Sequence, residues 1–160
     1  VAVEPLARRL GVTKGSFYWH FPSRDALLQA ALERWEAVEQ ESIFGSLEQV
    51  ADPRERLRAL FQLVGHEVKP HIIYSELLKA LDHPSVQPVI DRISQRRLEY
   101  LVAMFRQAGL QRTDATHRAR LTYAAYVGFL QLSLQLQQPR MTSEEFETYL
   151  EHVISTLIPT

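Results

Sequence analysis

The sequence predicts an all-α chain, with a short N-terminal helix-turn-helix head followed by a helical bundle. Three observations carry this. Glycine is scarce at six residues, and the eight prolines fall mostly between periodic segments, so the chain reads as helices separated by short punctuations. Apolar residues recur at helical spacing through most of the chain, and no stretch alternates as a half-buried strand does. The 160 residues, 46% apolar and 23% charged, suffice for one compact core or for a small head joined to a larger body.

The elements follow in order. Val3 to Leu10 forms a short helix stopped by Gly11, and Thr13 can cap a second running from Lys14 to about His20. Pro22 and Ser23 open a long helix with Leu28, Ala31, Leu32 and Trp35 on one stripe, ending near Gly45. Asp52, Pro53 and Glu55 form an N-terminal signature ahead of the stripe Leu57, Leu60, Phe61, Val64 and Val68. Pro70 is expected to end that helix, a shorter one to span His71 to Asp82, and a long one after Pro84 to run through Ile90, Ile93, Leu101 and Phe105 to Gly109. Thr113 is the expected cap of the next. Asp114 to Gln137 is apolar on more than one face and should be buried on several sides, beyond what one folded monomer covers. Thr142 and Glu145 make a capping box for the last helix, whose stripe runs from Phe146 to Leu157. Eight helices and no strands are predicted, and no repeat or low-complexity segment occurs.

Charge and composition exclude several classes. Lys and Arg number 18 against 19 Asp and Glu, so the net charge of -1 excludes a uniformly basic chain that coats nucleic acid. The charge is uneven: residues 1–24 hold Arg8, Arg9, Lys14 and Arg24 against Glu4, a net of +3, and the remainder carries -4. With no cysteine, disulfides, thiolate nucleophiles and cysteine-bound zinc fall away. No apolar run approaches the roughly 18 residues of a spanning helix, and Val1 to Leu10 lacks the apolar core of a signal peptide. The expected location is cytoplasmic, with no membrane partner.

The informative stretch is Val3 to Arg24. Leu6, Ala7, Leu10, Gly11, Val12 and Phe17 follow a helix-turn-helix pattern, with apolar inward positions, a small residue where helices cross and glycine in the turn. The bare pattern also fits two ordinary packed core helices. The second helix argues further: Lys14, Ser16, Tyr18, Trp19 and His20 leave Phe17 and Phe21 to anchor it inward. Ammonium, hydroxyl and imidazole donors suit phosphate oxygens, and aromatic faces pack on sugars and thymine methyls. The alternative buries Trp19 and Tyr18 in the body.

The run from Val3 to Leu28, centred on Leu6-Ala7-Arg8-Arg9-Leu10-Gly11-Val12-Thr13-Lys14-Gly15-Ser16-Phe17-Tyr18-Trp19-His20-Phe21, resembles the DNA-binding signature of the tetracycline-repressor (TetR) family. The rest of the chain matches that family only in being an all-helical body of suitable length. The resemblance implies a homodimeric transcriptional repressor that binds a double-stranded DNA operator and is released by a small-molecule effector. It implies that Lys14, Gly15, Ser16 and Tyr18 meet bases or groove edges, and that Thr13, Trp19, His20 and Arg24 meet phosphates. The chemistry agrees: Lys14 near a helix N-terminus brings charge and free amides toward phosphate, Gly15 permits close backbone approach, and Arg24 can clamp the flanking strand. Family members carry a further amphipathic helix before the position of Val3, so the head is expected to be incomplete, with Leu6, Leu10 and Phe21 uncovered and DNA binding weakened.

The expected division is a head with its connecting helix over 1–44 and an effector-binding and dimerisation domain over 45–160. Phe61, His66, Tyr74, Met104, Phe105, Tyr123 and Tyr126 are candidates for an apolar effector pocket with a few polar handles, each also compatible with plain core packing. Ala124, Ala125, Gly128, Leu132, Tyr149, Leu150 and Val153 are candidates for a dimer seam, with intramolecular packing the alternative. No metal or cofactor is expected: the spacing of His66 and His71 is five rather than four and Pro70 intervenes. No nucleophile elbow or phosphate loop supports an enzyme. The charged stretches Glu33 to Glu41 and Arg92 to Arg97 read as solvated helix faces. The competing functional class is an all-helical ligand-binding or protein-interaction module without DNA binding.

Overall fold

A computed structural model describes residues 3–66, 68–138 and 140–159, with the side chains of residues 3, 6, 9, 10, 42–44, 68 and 69 outside the description. The chain divides into a head up to Val38 and a body from Glu39. Every described element is helical.

In the head, α1 (Val3–Leu10) ends at Gly11, whose φ of +68° is the left-handed conformation that glycine adopts without a Cβ penalty. The Gly11 N–H then donates to the Arg8 carbonyl at 3.2 Å and the Val12 N–H to that of Ala7 at 3.0 Å, closing the helix. Thr13 caps α2 (Lys14–His20), its hydroxyl accepting from the Ser16 N–H at 3.1 Å. Ala7 and Phe17 are buried, and the Phe17 ring meets those of Tyr18 and Phe21 at 5.3 and 5.8 Å. The expected inward positions Leu6 and Leu10 lie outside the described side chains, while Phe21 is half-buried. Ser23 caps α3 (Arg24–Glu39) by accepting from the Ala26 N–H at 3.0 Å. Toward Gly45 the helix continues as a π-helical segment, Gln40–Gly45, a rare widening of the spiral often found beside functional sites.

In the body, Asp52 Oδ1 accepts from the N–H groups of Arg54 and Glu55 at 2.9 and 3.0 Å, starting α4 (Pro53–His66). Pro70 does not stop that helix. It sits in the first turn of α5 (Val68–Leu78), where its missing N–H would have no intrahelical acceptor. Val68, assigned to the α4 stripe by its spacing, instead opens α5, and its side chain lies outside the description. Then α6 (Gln87–Gln107) is closed at Gly109, φ +105°, by bonds from Gly109 to Arg106 and from Leu110 to Phe105, both 3.0 Å. α7 (Arg112–Gln135) starts after Gln111 with no side-chain cap, so the expected cap Thr113 stands inside its first turn. α8 (Ser143–Leu157) has the expected capping box, with Thr142 and Glu145 exchanging bonds of 2.8 and 3.2 Å. The Thr142 backbone N–H, and then its hydroxyl, hold the Glu145 carboxyl below the usual carboxylate range.

α6 packs along α7, α4 against α6 and α8, and α5 against α7. Leu57, Phe105, Ala115, Ala119 and Ile154 are fully buried between them; each large side chain so removed from water contributes about 1.5–3 kcal/mol. Gly65 lets α8 approach, since a Cβ there would stand 2.8 Å from Leu150 Cδ2. The expectation that α7 is buried on several sides holds for one face alone: Ala115, Ala119, Thr122 and Leu130 are buried, whereas Leu121, Ala124, Gly128 and Leu132 are exposed. Among the described residues no helix is long and apolar enough to cross a membrane.

Candidate nucleic-acid interface and body cavity

All eight residues singled out for DNA contact, Thr13, Lys14, Gly15, Ser16, Tyr18, Trp19, His20 and Arg24, are exposed. Phe17 alone is buried within α2, so the helix is held by one side and presents the rest outward. Trp19 is 81% exposed and Tyr18 47%. Leaving an indole in water forgoes stabilisation on the order of 1.5–3 kcal/mol, the kind of cost a binding surface carries. The Trp19 and His20 rings meet in a T-shaped pair at 4.7 Å. Gly15 is not there for want of space, because a Cβ would meet only Thr13 Oγ1 at 3.9 Å.

The body holds a cavity of about 300 Å³ walled by α4, the start of α5, α6, α7 and α8. Of the seven residues suggested for a pocket, Phe61, Tyr123 and Tyr126 line it. Tyr74 stands behind them, its buried hydroxyl hydrogen-bonded to those of Tyr123 and, at 3.3 Å, Ser94. Met104 and Phe105 belong to the core beyond the cavity. His66 points outward, since Phe61 and Gly65 occupy the cavity face of α4; its ring nitrogens lie 2.7 Å from Gln62 O and 2.8 Å from Glu147 Oε1. The residues suggested for a dimer seam divide. Ala125, Tyr149, Leu150 and Val153 line the cavity, while Ala124, Gly128 and Leu132 are exposed on α7.

The charged stretches are not wholly solvated. Glu39, 6% exposed, pairs with Arg97, whose Nε donates to Glu39 Oε1 at 2.8 Å while Nη2 bonds the same oxygen. The reading of both stretches as solvated faces therefore fails at these two positions. The signal was in the register: Arg97 lies four residues from both Ile93 and Leu101 on the buried face of α6, and Glu39 lies seven beyond the buried Leu32. The guanidinium sits over the Tyr74 ring at 4.3 Å and, farther off, over that of Tyr126 at 5.6 Å, and it lines the cavity. Burial works against its charge, but the Glu39 carboxylate beside it, together with the Tyr126 and Tyr123 phenols, outweighs burial and holds Arg97 protonated well above the ordinary range.

His71 completes this end of the wall. Its Nε2 lies 2.6 Å from the Val64 carbonyl, which can only accept, so in the neutral ring Nδ1 accepts from the Tyr126 hydroxyl at 2.8 Å. Burial pushes the Tyr126 phenol up to about 12 against the opposing pull of Arg97. Tyr74 is raised by the same cause. Ser133 Oγ, buried on the wall seven residues past Tyr126 and about 10 Å along α7, has no hydrogen-bond partner among the described residues. Among those residues, no group of three His, Asp or Glu could hold a metal ion.

Residues 1–31 match the family model of bacterial regulatory proteins of the tetR family. The chain is TetR-like in sequence over residues 1–31 and TetR-like in fold over its length. A TetR transcriptional regulator from Legionella pneumophila superposes with a TM-score of 0.74 at 15% identity, over 99% of this chain and 87% of that one. AibR, solved in complex with isovaleryl coenzyme A and operator DNA, gives 0.69 at 20% identity over 99% and 88%. The ketosteroid transcriptional regulator KstR2 of Mycobacterium tuberculosis gives 0.67 at 20% identity over 100% and 86%. No curated protein matches the sequence. In this TetR-like fold, α1 and α2 form the helix-turn-helix and the cavity with Arg97 lies in the helical body.

Proposed function

We propose that the chain is a sequence-specific DNA-binding transcriptional regulator, a homodimeric repressor released from a palindromic operator by a small-molecule effector. The outward face of α2 carries this reading. Lys14, Ser16, Tyr18 and Trp19 stand exposed on a helix anchored by Phe17, an arrangement with no use inside a monomer and a direct use in a major groove. The match of residues 1–31 to the tetR family model supports it, as does the operator complex of AibR, a protein of the same fold. The reading divides the chain into a DNA-binding head with its connecting helix over 1–44 and an effector-binding, dimerising body over 45–160.

The exposed face of α7 supports the dimer. Leu121 is 58% and Leu132 45% exposed, and nothing lies within 4 Å of a Cβ placed on Gly128, so a second backbone can approach closely there. A monomer in analytical ultracentrifugation at micromolar concentration would sink this element. The effector acts by binding the released form more tightly than the operator-bound form.

Selection of genomic fragments on the purified chain tests the reading. It expects one palindromic site with half-sites separated by one helical turn of about 34 Å or a small multiple, and affinity that falls steeply with salt. Tyr18→Ala should relax preference at one half-site position, and Lys14→Ala should weaken binding to all sequences. If both variants bind as the parent does, α2 is not the reader. The family fold is that of regulators, and no catalytic step enters this reading.

A further inference from the structure

Among the described residues the cavity wall holds no carboxylate, and its strong cation, Arg97, is half-engaged. A guanidinium carries five donors in a rigid fork. Glu39 takes the Nε and Nη2 side, while the buried Nη1 makes no bond in hydrogen-bond geometry among the described residues, the Tyr126 hydroxyl being the guanidinium's other polar neighbour. Buried donors left unmade are rare and costly, so the open half of the fork points to something that completes it. The rings of Tyr74 and Tyr126 hold the guanidinium plane in place. Beyond it the wall is apolar, with Phe129, Leu130 and Val153 facing the space. A cavity of about 300 Å³ is at the small end of ligand pockets and has room for a small organic molecule.

We propose that this cavity binds a small apolar monocarboxylate, its carboxylate accepting from Arg97 in competition with Glu39. The proposal deepens the effector reading and rests on it for its consequence on DNA. A second carboxylate at the same guanidinium repels Glu39 and shares its donors, so ligand binding loosens the bond that pins the last residue of α3. That helix starts at Arg24, directly after the reading helix, and a π-helical segment follows Glu39. The Arg97–Glu39 pair is then both the ligand anchor and the element through which the connecting helix feels the ligand.

Calorimetric titration of the whole chain without DNA at pH 7 tests this, using octanoate and 3-phenylpropionate, each beside its primary amide, and octanoyl-coenzyme A. At least one acid should bind about tenfold or more tightly than its amide. Glu39→Gln removes the competitor and should tighten that acid by about tenfold, whereas a merely structural pair would leave it unchanged or weaker. The double variant Glu39→Gln with Arg97→Gln, which buries no lone charge, should abolish the preference for acid over amide. Equal binding of acid and amide, no binding of either acid, or binding of the coenzyme A ester alone overturns the assignment. An unchanged affinity in Glu39→Gln overturns the competition. Operator retention is measured separately. Arg97-dependent acid binding in a chain that retains no DNA leaves the ligand assignment standing and removes the regulator reading, and operator binding without acid binding does the reverse.

Discussion

The head and the body place their working side chains oppositely. In the head, Lys14, Ser16, Tyr18 and Trp19 stand in water around one buried anchor, Phe17, and take little part in holding the fold together. In the body, Arg97, Glu39, Tyr126 and His71 are withdrawn into a wall where each bond also supports the packing. A group held outside can be removed at the expense of binding alone. A group held inside cannot, because its partner is left buried without compensation.

The largest effect should therefore come from the body. Arg97→Met leaves the Glu39 carboxylate buried and unpaired, which should cost about 3–5 kcal/mol in urea unfolding, and adding Glu39→Met should recover most of it. A loss under about 1 kcal/mol would show that water reaches the pair and would erase the contrast. Next comes Lys14→Ala, expected to change folding stability by less than about 0.5 kcal/mol while costing on the order of 1.5–3 kcal/mol of DNA binding and lowering the salt slope by about 1. Equal losses in both assays would place Lys14 in the fold rather than on its surface.

Gly15→Ala sharpens the comparison further. The space for a Cβ is open, so the substitution should raise stability by about 0.5–1 kcal/mol in thermal unfolding, yet weaken DNA binding if the α2 backbone lies against the duplex. The smallest effect is a pH dependence at the body surface. The Gln62 carbonyl, and then Glu147, raise the His66 pKa, so its contribution is complete below about pH 6.5 and is lost as the pH climbs through the raised native value. The pair is half-exposed, and the loss should stay under about 0.5 kcal/mol. His66→Gln should flatten the urea midpoint against pH between about 6 and 8.

Elements set by local bonds were readable from the chain. Gly11, Thr13, Asp52 and the Thr142–Glu145 box each act on neighbours within a few residues, and each stands where its spacing placed it. Pro70 and Thr113 were misplaced for a related reason. A proline is compatible with a first turn as well as with an end, and the closure at Gly109 leaves only Leu110 and Gln111 before α7 starts, so the cap position falls two residues ahead of Thr113.

The helix-turn-helix, its outward chemistry and the all-helical class were written in the residue order, because turns, caps and amphipathic faces depend on near neighbours. The cavity and its charged anchor were not. Glu39 and Arg97 are 58 positions apart in stretches dense with like residues, and composition ranks none of those charges above another. Register marks each of the two as facing inward, but only the packing brings them together, and once they are out of water electrostatics leaves them little choice but to pair.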